Sequence, residues 1–130
     1  MSEEWQLEIR IYFEDTDFSG VVYHANYLKY FERGRTEALR TTGLNHHDLL
    51  EKEQLVFTLR HIDVTYHRPA KIDDVLTIKT IISEIRGARL IFSQKAYREK
   101  DLLAEAIVTV ACMTLEGRPQ RLPKDMREEF

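Results

Sequence analysis

Between Trp5 and Phe13 every second residue is apolar (Trp5, Leu7, Ile9, Ile11, Phe13), which is the period of a strand with one buried face. The alternation stops at Glu14-Asp15-Thr16-Asp17-Phe18-Ser19-Gly20, where Asp, Thr, Ser and Gly predict a loop. From about Asn26 to Thr42 the period lengthens to that of a helix. Tyr27, Phe31, Gly34 and Ala38 form one stripe, with Leu28 and Leu39 beside it. Asn26 is placed to cap the start of this helix, and Gly43 stands where a left-handed residue would end it. At 1.5 Å per residue the helix would be roughly 25 Å long, enough to cross a small domain. Gly34 costs up to ~1 kcal/mol in a helix interior, so its presence predicts close approach of another backbone at that turn.

Asn45 followed by Asp48 predicts a capped short helix through HHDLLEKE. Four strand-like runs then follow, at about 55 to 67, 74 to 85, 88 to 98 and 102 to 115. In the first of them the apolar phase slips by one residue, from Phe57 and Leu59 to Ile62, Val64 and Tyr66, which predicts a β-bulge near Arg60 and His61. The run ends at Pro69. Short polar connections at Arg86-Gly87-Ala88 and at 98 to 101 join the last three strands as antiparallel hairpins. The final strand is apolar on both phases, with Ala104, Ala106, Val108, Val110 and Cys112 on one and Ile107, Ala111, Met113 and Leu115 on the other. Both faces should therefore be covered, the second by a partner subunit. The fold expected is α+β, with a twisted sheet of about five strands wrapped around one long helix.

With 130 residues, 43% of them hydrophobic, the chain suits one domain with one core, spanning residues 1 to 130. No segment approaches the ~18 consecutive apolar residues of a membrane span, and the start MSEEWQLEIR has no signal-peptide pattern, so a cytoplasmic protein is expected. The 19 basic and 22 acidic residues are interspersed and sum to a net charge of −3, which argues against nucleic acid or anionic lipid as a partner. A lone cysteine, Cys112, cannot form an internal disulfide and is expected to be an inert core thiol.

The loop EDTDFSG sets two carboxylates, Asp15 and Asp17, immediately before the longest helix. The first turn of a helix carries unpaired N–H groups and a partial positive charge, a suitable seat for a developing oxyanion. A nearby carboxylate can then attack an ester or thioester carbonyl, or activate water to do so. Asp17 is the better candidate, since it is expected deeper in the loop with Phe18 and Val21 keeping water out. The plainer alternative is a solvated turn, for which the same residue types are equally suited.

The stretch DTDFSGVVYHANYLKYFERGRTE resembles the D-x-D-x-x-G-x-V-Y-H-x-N-Y signature of hot-dog thioesterases of the 4-hydroxybenzoyl-CoA thioesterase family. Within that family it is most similar to the acyl-CoA thioesterases associated with the bacterial Tol-Pal system. The likeness continues through VTYHRPAKIDDVLTIKT and RGARLIFSQ, and so covers nearly the whole chain. It implies a hot-dog fold, hydrolysis of acyl-CoA or of an acyl carrier protein thioester, and a homodimer or homotetramer. It also implies that Asp17 is the catalytic carboxylate, as nucleophile or general base, and that His24 supplies a backbone N–H to the thioester carbonyl. Tyr23, Asn26 and Tyr27 match the group's pattern and are expected at the substrate. Arg68, with Lys71, Arg86 and Arg89 as weaker candidates, is expected near the phosphates of CoA. Phe18-Ser19 departs from the small pair usual in near relatives, and Phe18 would narrow the acyl entrance.

His46, His47 and Asp48 look like metal ligands in sequence, but adjacent histidines on a helix point in different directions, and neither metal nor organic cofactor is expected. A phosphatase with a D-x-D nucleophile loop would need alternating strands and helices in a parallel sheet, not four successive strands. A hot-dog dehydratase would need a differently placed His and acid pair. The remaining alternative is a non-catalytic acyl-binding or scaffold module of a membrane-associated complex, which fold alone does not exclude.

Overall fold

A computed structural model of the chain describes residues 3 to 43 and 46 to 124. Five strands form one antiparallel sheet: β1 (Glu4–Arg10), β2 (Leu55–Tyr66), β3 (Val75–Arg86), β4 (Arg89–Arg98) and β5 (Asp101–Thr114), in the order β1-β3-β4-β5-β2. Two helices, α1 (Asn26–Thr41) and α2 (His46–Glu53), stand between β1 and β2 in sequence. The sheet holds α1 against its inner face, so the long-helix expectation is right for α1. The short helix expected through HHDLLEKE is α2, so two helices and not one accompany the sheet. Asn45, the expected cap of α2, lies outside the described residues.

Period-2 patterning accounts for the inner face. Leu76, Ile78, Thr80 and Ile82 of β3 are buried, as are Leu90, Phe92, Gln94 and Ala96 of β4 and Ala104, Ala106, Val108, Val110 and Cys112 of β5. Against them α1 buries Tyr27, Tyr30, Phe31, Gly34, Ala38 and Leu39. Each fully buried large aliphatic or aromatic side chain contributes about 1.5–3 kcal/mol of hydrophobic stabilisation. Small residues set how near the helix comes. Cross-strand neighbours Ala96 and Ala104 form part of the sheet floor. A Cβ on Gly34 would meet Ile78 Cγ2 at 2.9 Å, and Gln94 Nε2 and Thr80 Oγ1 at 3.0 Å. Close approach at Gly34 is therefore real, but the groups that approach are sheet side chains and not another backbone.

The bulge inferred from the phase slip is present as a register shift between Leu59 and His61 where β2 pairs β5. Further shifts at Ile82/Glu84 and Ala96/Tyr97 add local twist and curl the sheet around α1. Other expectations need correction. β1 ends at Arg10, and the chain then turns through a single 3-10 turn, Phe13–Asp15, which leaves Phe13 exposed. The N-cap of α1 is Ala25, with no side-chain cap, because the Asn26 amide is engaged elsewhere. Gly43 does adopt the left-handed conformation, at φ +86°. On β5 the second phase is only partly covered within the chain: Ala111 is buried, but Ile107 is 48% exposed, as is Leu115 beyond the strand at 59%. Among the described residues, no helix is long and apolar enough to cross a membrane.

Candidate active site

Residues Asp15 to Tyr23 form a small hairpin that leads into α1. Thr16 and Val22 pair across it, Asp17 N–H donates to Val21 O at 2.8 Å, and Gly20, at φ +84°, donates to Asp17 O to close the tip. The hairpin is held from two sides. Tyr23 N–H and Asn26 Nδ2 both donate to Asp15 O, at 3.0 and 2.9 Å. On the other side Val22 N–H donates to Ala70 O at 2.8 Å, and Val21 pairs with Lys71. The 69–74 segment is itself pinned by Arg98, which donates to Asp74 Oδ2 at 2.8 Å and to Pro69 O at 3.3 Å. Burial opposes ionisation of Asp74, but hydrogen bonds from Lys71 N–H and the Arg98 guanidinium outweigh it and hold the carboxyl below its usual range.

At the tip, Asp17 Oδ1 accepts hydrogen bonds from Ser19 Oγ at 2.6 Å and from Ser19 N–H at 2.9 Å. These two donors hold its carboxyl below the usual carboxylate value, so it is an anion at neutral pH. Burial opposes them more weakly, and backbone N–H groups of Val21 and of Asp17 itself add to the lowering. The shielding expected from Phe18 is not provided within the chain, since Phe18 is fully exposed and Asp17 is exposed with it. Asp15 has the other fate: its Oδ2 accepts from Tyr12 N–H at 2.7 Å, which fixes the loop. Nearby, the buried Tyr30 hydroxyl finds no hydrogen-bond partner among the described residues. Burial first, and then the neighbouring Asp15 carboxyl, push its pKa well above the ordinary tyrosine value.

The head of α1 is wound tightly. The N–H groups of Asn26, Tyr27 and Leu28 donate three residues back, to the carbonyls of Tyr23, His24 and Ala25. Tyr23 N–H is taken by Asp15, so the N–H groups that donate to nothing among the described residues are those of His24 and Ala25. Two consecutive unpaired donors at a helix start form a seat for an anionic oxygen.

The expected site residues divide into two groups. His24, Tyr27 and Arg68 line one cavity of about 260 Å³, together with Tyr66 and His67. Asp17, Tyr23 and Asn26 lie outside that lining. Tyr27 is buried, with its ring edge-on to Tyr66 at 5.4 Å, while the Tyr23 ring lies tilted at 49° to the His24 ring, 4.5 Å away. Arg68 is 63% exposed and pairs with Asp101 at 3.5 Å. A larger hollow, about 410 Å³, borders Asp15 from the β1 side and takes in Arg33 and Glu37 but none of the expected substrate residues. The side chain of His46 lies outside the described residues, and among those described no three His, Cys, Asp or Glu side chains are grouped to hold a metal. Cys112 is buried, and desolvation pushes its thiol up to about 11.

Two contributors escaped the sequence reading. Ser19, a turn residue by composition, also anchors Asp17: an Asp followed two residues later by Ser in a turn is the spacing of a local side-chain hydrogen bond. Tyr66 closes the cavity from the end of β2 and donates its hydroxyl to His24 O at 2.8 Å. The two residues are 42 positions apart, and no local pattern connects them.

The profile of the thioesterase-like superfamily matches residues 11–130. Acyl-CoA thioesterase YbgC of Haemophilus influenzae is 44% identical over 123 residues, covering 94% of this chain and 90% of that protein. The crystal structure of a probable thioesterase from Bartonella henselae is 46% identical, covers 93% of this chain and all of that one, and superposes with a TM-score of 0.90. 4-Hydroxybenzoyl-CoA thioesterase of Pseudomonas superposes with a TM-score of 0.93 over 99% of this chain at 22% identity, a likeness of fold alone. A profile that runs from the end of β1 to the last residue, joined by relatives alike in sequence almost end to end, leads to one conclusion: the chain belongs to the thioesterase-like superfamily, among its hot-dog acyl-CoA thioester hydrolases.

Proposed function

We propose that this chain hydrolyses acyl-CoA thioesters at the head of α1, with Asp17 as the catalytic carboxylate and the N–H groups of His24 and Ala25 as the oxyanion seat. The observation that carries this is an exposed, ionised carboxylate at the tip of a braced hairpin, followed at the head of α1 by two N–H donors without a partner among the described residues. The relatives support thioester hydrolysis as the reaction.

Two routes use these groups. In one, Asp17 takes a proton from water as the water oxygen adds to the thioester carbonyl carbon. In the other, Asp17 adds directly and the resulting anhydride is hydrolysed. In both, the carbonyl oxygen gains charge that His24 and Ala25 stabilise, the C–S bond breaks, and CoA leaves as a thiol after reprotonation. Tyr27 and the His24 ring wall the cavity for the acyl or pantetheine arm, and Arg68 at its mouth suits a phosphate of CoA. Tyr23 shields the His24 turn, and Asn26 acts through Asp15 O, bracing the hairpin. An acyl carrier protein could present the same thioester.

The exposure of Phe18, Ile107 and Leu59 supports a homo-oligomer in which a second copy covers these side chains and dries the Asp17 site. Sedimentation at micromolar concentration is expected to give a dimer or larger, and a monomer would remove this element. The catalytic proposal is tested by release of CoA thiol from a panel of acyl-CoAs, by the native protein and by Asp17→Asn. Turnover by the native protein that Asp17→Asn loses supports it. Acyl-CoA binding without turnover would favour an acyl-binding module instead.

A further inference from the structure

The turn that carries the two free donors is weakly held by its own backbone. His24 O accepts Tyr27 N–H at 3.3 Å, the longest of the three bonds in the first turn of α1, and this alone would leave the peptide between His24 and Ala25 free to tilt. The Tyr66 hydroxyl supplies the second, shorter bond to the same carbonyl, at 2.8 Å. A trans peptide is planar, so its carbonyl and its N–H point in opposite directions, and fixing one fixes the other. The carbonyl of His24 and the N–H of Ala25 belong to one such plane.

We infer that Tyr66 is a positioning residue of the thioester reaction: by holding His24 O it aims the Ala25 N–H at the place where the oxyanion forms. This rests on the function proposed above. Tyr66 is itself well braced. It is the last residue of β2, paired with Ala104 of β5, and the chain beyond it is tied down by His67 and Arg68 N–H groups that both donate to Leu103 O, at 2.7 and 3.1 Å. Its ring is edge-on to Tyr27 at 5.4 Å and to His24 at 6.2 Å. Although 45% exposed, the side chain is thus held by the strand end and by the Tyr27 and His24 rings, and little further ordering is needed when substrate binds.

Tyr66→Phe removes the hydroxyl and keeps the ring. The expected result is a fall in kcat of about tenfold, smaller than the ~100-fold typical of deleting an oxyanion donor outright. KM should stay within about twofold, with the thermal midpoint and both limbs of the pH profile unchanged, because the substitution keeps the ring that lines the cavity and removes a hydroxyl that moves no proton. A loss confined to KM, a shifted pH limb, a fall in kcat matched by a fall in thermal midpoint, or wild-type kcat would each overturn the inference. The Asp17→Asn control separates the two levels. If Asp17→Asn abolishes turnover while Tyr66→Phe matches wild type, the function stands and the role of Tyr66 is lost. If the native protein releases no thiol from any acyl-CoA, the function fails and the role of Tyr66 falls with it.

Discussion

The middle of α1 and its first turn treat polar groups in opposite ways. Beneath Gly34, Gln94 is completely buried yet satisfied: its amide donates to Phe31 O at 2.8 Å and to Thr80 Oγ1 at 2.9 Å, and its carbonyl oxygen accepts from Arg35 at 3.0 Å. Burial lowers the pKa of Arg35, with Glu32 opposing, so even this cation is drawn into the network. At the first turn, two N–H groups have no partner among the described residues, and the hairpin before it carries an exposed carboxylate. Satisfied buried groups specify how helix and sheet pack, whereas unsatisfied groups near solvent are free to meet a ligand. The contrast assigns stability to one end of the comparison and chemistry to the other.

Substitutions at each end should therefore separate activity from stability. Asp17→Asn is expected to lower turnover at least ~100-fold, about 2.7 kcal/mol of barrier, with the thermal midpoint unchanged. The amide is nearly isosteric and its oxygen can still accept from Ser19, so the hairpin should survive. Gln94→Leu is expected to do the reverse. It strands Thr80 and Arg35 and should cost about 2–3 kcal/mol in denaturant unfolding, while activity per folded molecule stays near wild type. If the helix network instead governed turnover, kcat would fall in step with stability, and the division between the two regions would be wrong.

A finer change tests the electrostatics of the tip. The Asp17 carboxyl is held below the ordinary carboxylate value because Ser19 donates to its charged form. Catalysis that needs this anion is fully present above that value and is lost as pH falls through the lowered pKa. Ser19→Ala removes the hydroxyl donor, so the acid limb of kcat/KM should move to higher pH. A limb that stays in place or moves down would mean that Asp17 is not the group it reports.

Periodic features of this fold were legible because they repeat. Alternation gave the strands, the one-residue slip in β2 gave the bulge at Arg60, and the helical stripe gave the buried face of α1. Single-residue features were less so. Phe13 completes an apolar alternation, yet the chain has already turned, because the 3-10 turn is closed by Asp15 accepting Tyr12 N–H, a side-chain bond that hydropathy does not register. Asn26 has the chemistry of a cap but spends it on Asp15 O. Gln94 was visible in principle, as the one long polar residue on the inward phase of β4 between Phe92 and Ala96, though its partners could not be named from the strand alone. At the site, the position and ionisation of Asp17 follow from the loop composition, whereas its exposure depends on where Phe18 points at the hairpin tip, and composition carries no such direction.

The burial of Cys112 decides how cleanly the enzyme can be assayed. Thiol reagents are attacked by thiolate, and a sulfhydryl pushed up to about 11 and buried in the core is almost wholly protonated and out of reach at neutral pH. No other cysteine is present in the chain. In the native fold the protein should therefore be silent to a chromogenic disulfide, and the colour that develops would count CoA molecules released. A slow rise without substrate would report Cys112 surfacing, turning the same reagent into a clock for opening of the sheet around its helix.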